Sequence, residues 1–266
     1  MRVTPSETGA GSDVMGLFPA EIKVNVEGDV PGALSALGSS QGALTSRRIW
    51  FAEDRQGVAE GRVPLLDNGV IVRFRLRGAS EDLTVKLRPC DQEQLVGRFS
   101  DDFEAGPFTY RIEEDWSRNG RVLAASLVRD CPPGTLGEAV EQGADAAAAM
   151  DALQDQFLHA CAPSVPLDGL VALGPVLSTK IEDVPLDDLK TDLEVWSVTG
   201  LEFLEVSTRV KPKDEDDRET FTARAERKQR KLQKAVRERG VLLSELSENK
   251  TRRVLTALVT SAGRLA

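Results

Sequence analysis

Histidine is almost missing from this sequence: His159 is the only one in 266 residues. Histidine-rich metal sites are therefore excluded, and a Ser-His-Asp arrangement is disfavoured, because His159 sits beside Phe157 and Leu158 in an amphipathic stretch and reads as a core-edge residue. Any bound metal must then use carboxylate oxygens, which suit magnesium, manganese or calcium. Cysteine is scarce too. Cys90, Cys131 and Cys161 are odd in number and scattered, which offers neither a disulfide framework nor a zinc pattern and fits a reducing cytoplasm. No apolar run is long enough to span a membrane. The first residues carry Glu7 and Asp13 and lack a continuous apolar stretch, so no signal peptide is expected. An excess of positive charge is also lacking. The net charge of -9 and pI near 4.9 argue against a generic nucleic-acid binder.

Against that acidic background the stretch Gly69 to Pro89 stands out. Arg73, Arg75 and Arg77 recur at period two, as do Lys86 and Arg88, with Ile71, Phe74, Leu83, Val85 and Leu87 among them. Period two puts alternate side chains on one face of a strand, and the segment from Gly78 to Asp82 supplies a turn. The spacing alone is equally that of a surface hairpin with a basic wet face. Like charges on adjacent strands repel, however, and something anionic should offset them.

The rest of the chain reads as strands interrupted by helices. Residues 1–16 are rich in Gly, Ser and Thr and read as a mobile tail. Glu21, Lys23 and Asn25 alternate with Ile22, Val24 and Val26 in a first strand. A short helix is expected from Val30 to Leu37 and a strand from Arg47 to Ala52. The segment Pro107 to Trp116 puts Arg111, Glu113 and Asp115 on one face, and a hairpin leads to a strand over Gly120 to Val128. Thr135 to Ala160 reads as an Ala-rich helix. Three further strands are expected over Val176 to Ile181, Asp192 to Val198 and Glu202 to Val210. Arg218 to Arg239 is a helix with nine Lys or Arg against three Glu and a narrow apolar stripe of Phe221, Ala225, Leu232 and Val236. A final helix spans Thr251 to Val259, with Ser247 as its N-cap. The basic helix is expected to cover an apolar sheet face, not to bind nucleic acid. Glu219, Glu226 and Glu238 interrupt its charge, acids at 214–217 precede it, and it has no aromatic residue after Phe221 for stacking bases.

Several short charged motifs occur in a set order: Glu21-Ile22-Lys23, Val72-Arg73-Phe74-Arg75, Leu83-Thr84-Val85-Lys86, Arg111-Ile112-Glu113, Lys180, Leu193-Glu194-Val195-Trp196, Gly200 to Ser207, and Asn249-Lys250-Thr251. Together they resemble the CYTH superfamily, the triphosphate tunnel metalloenzymes, which includes class IV adenylate cyclases, thiamine triphosphatases and tripolyphosphatases. Three positions depart from the family's pattern. Pro19 stands where the first Glu of Glu-x-Glu-x-Lys belongs, Trp196 replaces an Asp, and Ser207 replaces the last Glu. The resemblance implies an α+β fold, a closed antiparallel eight-stranded β-barrel with surrounding helices, formed by residues 17–266 as one domain that includes the C-terminal helices. It further implies that Arg73, Arg75, Lys86, Arg88, Arg111 and Lys180 surround a small-molecule triphosphate or polyphosphate. Glu21, Glu205 and Glu194 would hold magnesium or manganese, and Lys23 and Glu113 would serve catalysis. The activity implied is phosphoanhydride hydrolysis, with non-hydrolytic binding and cyclisation of ATP as alternatives. Neither nucleic acid nor membrane is an expected partner, and a homodimer is left open.

Overall fold

The computed structural model describes residues 16–262 apart from 79, 119, 142, 199 and 247–249. Of the tail expected over residues 1–16, all but Gly16 lies outside the described residues, as does Ser247 as a helix cap. Ten strands form one sheet: β1 (Ala20–Val26), β2 (Ala43–Asp54), β3 (Val70–Arg77), β4 (Ser80–Cys90), β5 (Phe103–Ala105), β6 (Phe108–Ser117), β7 (Gly120–Cys131), β8 (Leu170–Leu186), β9 (Leu189–Val198) and β10 (Leu201–Val210). Their order is β1-β10-β9-β8-β2-β3-β4-β7-β6-β5, and β1 also pairs with β6. That second pairing closes a barrel of nine strands and leaves β5 as a short flap on β6. Every pair is antiparallel except the closing seam, where β1 and β6 run parallel with Glu21 opposite Asp115. The Pro19 carbonyl accepts from the Glu114 amide at 2.8 Å beside that seam. The expected closed barrel is thus present, with one more strand and one parallel joint. Closure leaves no free edge except on the flap.

Alternation gives the barrel two chemically different faces. On β3, Val72 and Phe74 are fully buried on the outside, while Arg73 and Arg75 face the lumen. On β4, Leu83, Val85 and Leu87 point outward and Thr84, Lys86 and Arg88 inward. Strand β4 begins at Ser80, so the turn is tighter than the segment from Gly78 to Asp82, and Asp82 lies directly across from Arg75. Part of the expected anion is therefore built into the hairpin itself.

Helices cover the apolar outer face. The helix α4 (Ala152–Cys161) packs Phe157, Leu158 and Cys161 against Phe74, Val85, Tyr110 and Leu127. The region expected as one helix from Thr135 to Ala160 is instead two 3-10 turns, Glu138–Val140 and Ala146–Ala149, followed by α4. Gly143 at φ +89° and two local caps explain the difference. Asp145 accepts from the Ala147 amide, and Asp151 forms a capping box with Gln154 that starts α4 late. The basic helix α5 (Arg218–Glu238) does lay its narrow stripe on the barrel: Phe221, Ala225, Leu232 and Val236 are buried against Ile22, Val24, Leu204 and Val206. The short helices α1 (Val30–Ala36), α2 (Arg55–Ala59) and α3 (Pro64–Asp67) lie in the connections flanking β2. The last helix, α6 (Lys250–Ala262), meets lumen-facing residues at one end of the barrel, where Val254, Leu255, Leu258 and Val259 pack with Phe51, Trp196 and Phe203. No described helix is long and apolar enough to cross a membrane.

Candidate functional site

The charged half of the lumen encloses a cavity of about 320 Å³. Nine basic side chains line it against five carboxylates, an excess of four positive charges in a protein whose net charge is negative. Of the residues singled out from sequence, Glu21, Lys23, Arg73, Arg75, Lys86, Arg88, Glu113, Lys180, Glu194 and Glu205 all line this one cavity. Arg111 does not. It shares the face of Glu113 and Asp115 but sits near the start of β6, where its guanidinium turns to Glu104 on β5 and to the Phe103 carbonyl at 3.1 Å. The unanticipated flap strand captures it.

Three carboxylates, Glu21, Glu113 and Asp115, bring ligand oxygens within 4.8 Å of one another. The grouping differs from the expected Glu21, Glu205 and Glu194. The seam between β1 and β6 sets Asp115 beside Glu21, whereas Glu205 lies further along, opposite Asn25. Asp115, only 1% exposed, is the centre of the cluster. Lys23 reaches it at 2.7 Å and Glu21 at the same distance. Lys86 lies 3.4 Å from Asp115 and 3.3 Å from Glu113, and Arg88 also pairs with Asp115. Burial alone would raise the pKa of Asp115, but Lys23, Lys86 and Arg88 outweigh it and hold this carboxyl well below its ordinary range. Glu21 is lowered by the same contest, burial being overcome mainly by Lys23. Lys23, despite its own burial, is raised by Glu21 and Asp115.

Glu194 and Glu205 are engaged elsewhere. Lys250, at the start of α6, projects into the lumen with Nζ 2.8 Å from Glu194 and 3.1 Å from Glu205, and it stands 4.2 Å from the centre of the Trp196 ring. Ser178 adds a hydrogen bond to Glu194 at 2.9 Å. Against burial, Lys250 and these hydrogen bonds hold Glu194 well below its ordinary pKa. Toward the rim, Lys180 pairs with Glu182 and Asp192, each at 2.8 Å, and Arg209 approaches Glu113 at 3.4 Å.

Among the described residues, two cations of the lining remain without such a carboxylate partner. The Nε atoms of Arg47 and Arg73 are buried and have no hydrogen-bond partner, and the one bond of the Arg73 guanidinium is a long contact of 3.5 Å to Thr84. Burial and the neighbouring Arg75 push the Arg73 pKa down to about 9 and lower that of Arg47. A buried unsatisfied donor on a charged group is costly, and this pair faces an open, cationic cavity. The arrangement can coordinate a polyanion through charge-assisted hydrogen bonds.

Sequence reading missed Asp115, Arg47, Arg209 and Lys250 as site residues. Asp115 was legible in part, since it continues the period of Arg111 and Glu113, and so was Arg47 at the start of the second expected strand. Nothing local to Lys250 shows that a helix would carry it into the lumen.

No protein-family model and no curated protein matches the sequence. Among solved structures the chain is similar to a candidate adenylyl cyclase from Hippeastrum described as having a dominant triphosphatase activity. The two share 13% identity and a TM-score of 0.57, over 90% of this chain and 96% of that one. It is also similar to a candidate adenylate cyclase from Bacillus halodurans, at 14% identity and a TM-score of 0.53, over 89% of this chain and 98% of that one. Shared topology over almost the full length of both chains, joined to the closed barrel and its charged lumen, identifies the fold as CYTH-like.

Proposed function

We propose that the protein binds a small molecule bearing a triphosphate or polyphosphate in the lumen and hydrolyses a phosphoanhydride bond with the help of a divalent metal. The observation that carries this reading is that Arg47 and Arg73, whose buried Nε atoms have no hydrogen-bond partner among the described residues, face a cavity lined by four more cations than carboxylates. Arg75 and Lys180, which line the same cavity, would extend the cationic lining along the phosphate chain. The likeness to a Hippeastrum protein with triphosphatase activity supports the choice of ligand.

Glu21, Glu113 and Asp115 form an oxygen-only donor set, which suits magnesium or manganese. A bound divalent ion there would neutralise charge on the phosphate oxygens. The remaining chemistry falls to the chain's own groups. Glu113 is more exposed than the fully buried Asp115, and it is the one held between Lys86 and Arg209. In this reading it accepts a proton from the attacking water as that oxygen bonds to phosphorus and the bridging P–O bond breaks. Lys23, held protonated, and Lys86 then face the charge that develops on the leaving phosphate.

A second reading, binding without hydrolysis, is favoured by one contact. Lys23 already bridges Glu21 and Asp115, and Pro19 and Ser207 stand where the resemblance calls for two more glutamates. Incubation with tripolyphosphate, ATP and thiamine triphosphate, each with magnesium and with manganese, separates the readings. Phosphate release supports hydrolysis, cyclic AMP indicates a cyclase, and binding without product leaves a polyphosphate reader. The three cysteines are buried and unbridged, in keeping with a cytoplasmic setting for any of these roles.

A further inference from the structure

We propose that Glu53 is a proton-linked latch: its carboxyl fastens α3, and through α3 the last helix α6 with Lys250, more firmly when it carries a proton than when it is ionised. None of the lumen chemistry proposed above uses this residue, and the latch stands or falls independently of the lumen's ligand.

Helix α3 cannot cap itself. Val63, its N-cap residue, has no side chain that accepts a hydrogen bond, and Pro64 at the first position has no amide to donate. The orphan donors are therefore the amides of Leu65 and Leu66, and both turn to Glu53 near the end of β2, where each carboxyl oxygen accepts one of them at 2.9 Å. Glu53 is only 1% exposed. At its other end α3 is tied to α6. Asp67 pairs with Arg252 at 2.7 Å, and Val63 and Leu66 pack in one buried cluster with Val254, Leu255 and Leu258. The first residue of α6 is Lys250, which holds Glu194 and Glu205. One carboxyl thus anchors a connected run from β2 to the lumen.

The charges around Glu53 do not neutralise it. Asp54 beside it caps the Gly57 amide of α2, and Arg55 reaches away to the Gly143 and Ala144 carbonyls. Glu60 and Arg62, beyond α2, pair with each other at the surface. On α3, Asp67 adds a like charge, and Arg252 of α6 is paired with that residue. Val171, opposite Glu53 on β8, carries no charge. When ionised, Glu53 makes both amide bonds but buries a charge with no cation against it, which is costly. When protonated, it gives up one acceptor and sheds that charge. Burial outweighs the amide bonds, and the carboxyl is pushed up from 4.5 to about 7. With α3 released, the same group faces water at its ordinary value. The closed latch therefore binds the proton more tightly than the open one, so its hold is complete below about pH 4.5, weakens as pH rises toward 7 and is constant above that. This is the opposite sense to Asp115 and Glu194, and it acts in a higher window of pH.

Hydrogen exchange on the intact protein, read by mass spectrometry and corrected for the intrinsic pH dependence of amide exchange, measures the hold directly. Protection of α3 and of the α6 segment that follows Lys250 is expected to fall on the order of tenfold from about pH 5.5 to about pH 8, while β4 and β7 stay unchanged. Glu53→Gln, neutral at every pH, should abolish that dependence. Should this variant prove unable to fold, Asp67→Asn serves in its place: it removes the neighbouring like charge and should move the transition to lower pH. Equal protection at both pH values, a dependence that survives in Glu53→Gln, or a transition that Asp67→Asn leaves in place would each overturn the latch. A response confined to α3 would overturn its link to α6.

Discussion

Asp115 shows how a single buried carboxylate organises the site. Three cations converge on it, and removing its charge would leave them facing one another without compensation. Asp115→Asn is expected to destabilise the protein by about 3–5 kcal/mol, the cost of breaking a buried ion pair from one side, measurable by denaturant unfolding. The same residue sets a pH dependence. A carboxyl whose folded pKa is depressed contributes stability that is complete above its unfolded value and is lost as pH falls through the folded one. Asp115 and Glu194 both lie below their ordinary values of 3.8 and 4.5, so thermal stability should hold at neutral pH and decline steadily on acidification below that range. A melting temperature that is flat through this window would count against the buried pairs. The metal cluster has its own test, with manganese followed by electron paramagnetic resonance in the presence of tripolyphosphate. Glu113→Gln should weaken manganese binding and Glu205→Gln should not, because Glu205 is committed to Lys250. Equal effects would return the site to the grouping expected from sequence. The two groupings differ for a physical reason: motif order says which strands carry carboxylates but not which strands meet at the seam, and the seam sets Asp115 beside Glu21.

Among the elements, α6 carries the largest consequence for function and was the least legible. Its apolar stripe is visible in sequence, yet nothing there says that the stripe enters the barrel instead of covering it. Leu255→Ala is expected to cost about 2–5 kcal/mol by leaving a cavity in the plug, read as a lowered unfolding midpoint. The strands were legible because period two survives in β1, β3, β4 and β6 wherever one face is charged and the other apolar. The Ala-rich stretch before α4 was misjudged because alanine favours helix in isolation, and local Asp caps with Gly143 overrode that preference. Helix α5 behaves as its narrow stripe suggested, with Phe221 and Leu232 fully buried and its cations left at the surface. Reversing the exposed charges Arg230 and Lys234 should therefore leave tripolyphosphate affinity unchanged. Duplex or single-stranded DNA should show no tight binding at near-physiological salt, and binding that these reversals abolish would contradict the covering role.

At the scale of the whole molecule, an acidic protein has turned its excess of positive charge inward. The net charge of -9 is the sum over the whole chain, while the lumen lining carries four more cations than carboxylates. Most of those cations are neutralised by partners within reach, and the exceptions, Arg47 and Arg73, mark where an outside anion would be stabilised most. Calorimetric titration with tripolyphosphate, on the intact protein and on an Arg47→Ala, Arg73→Ala double variant, addresses this most directly. The account predicts one tripolyphosphate per chain, weakened about a hundredfold in the variant if each arginine supplies a charge-assisted hydrogen bond of about 1.5 kcal/mol, with the variant's own stability undiminished. No binding by the intact protein, or equal binding by the variant, would contradict it.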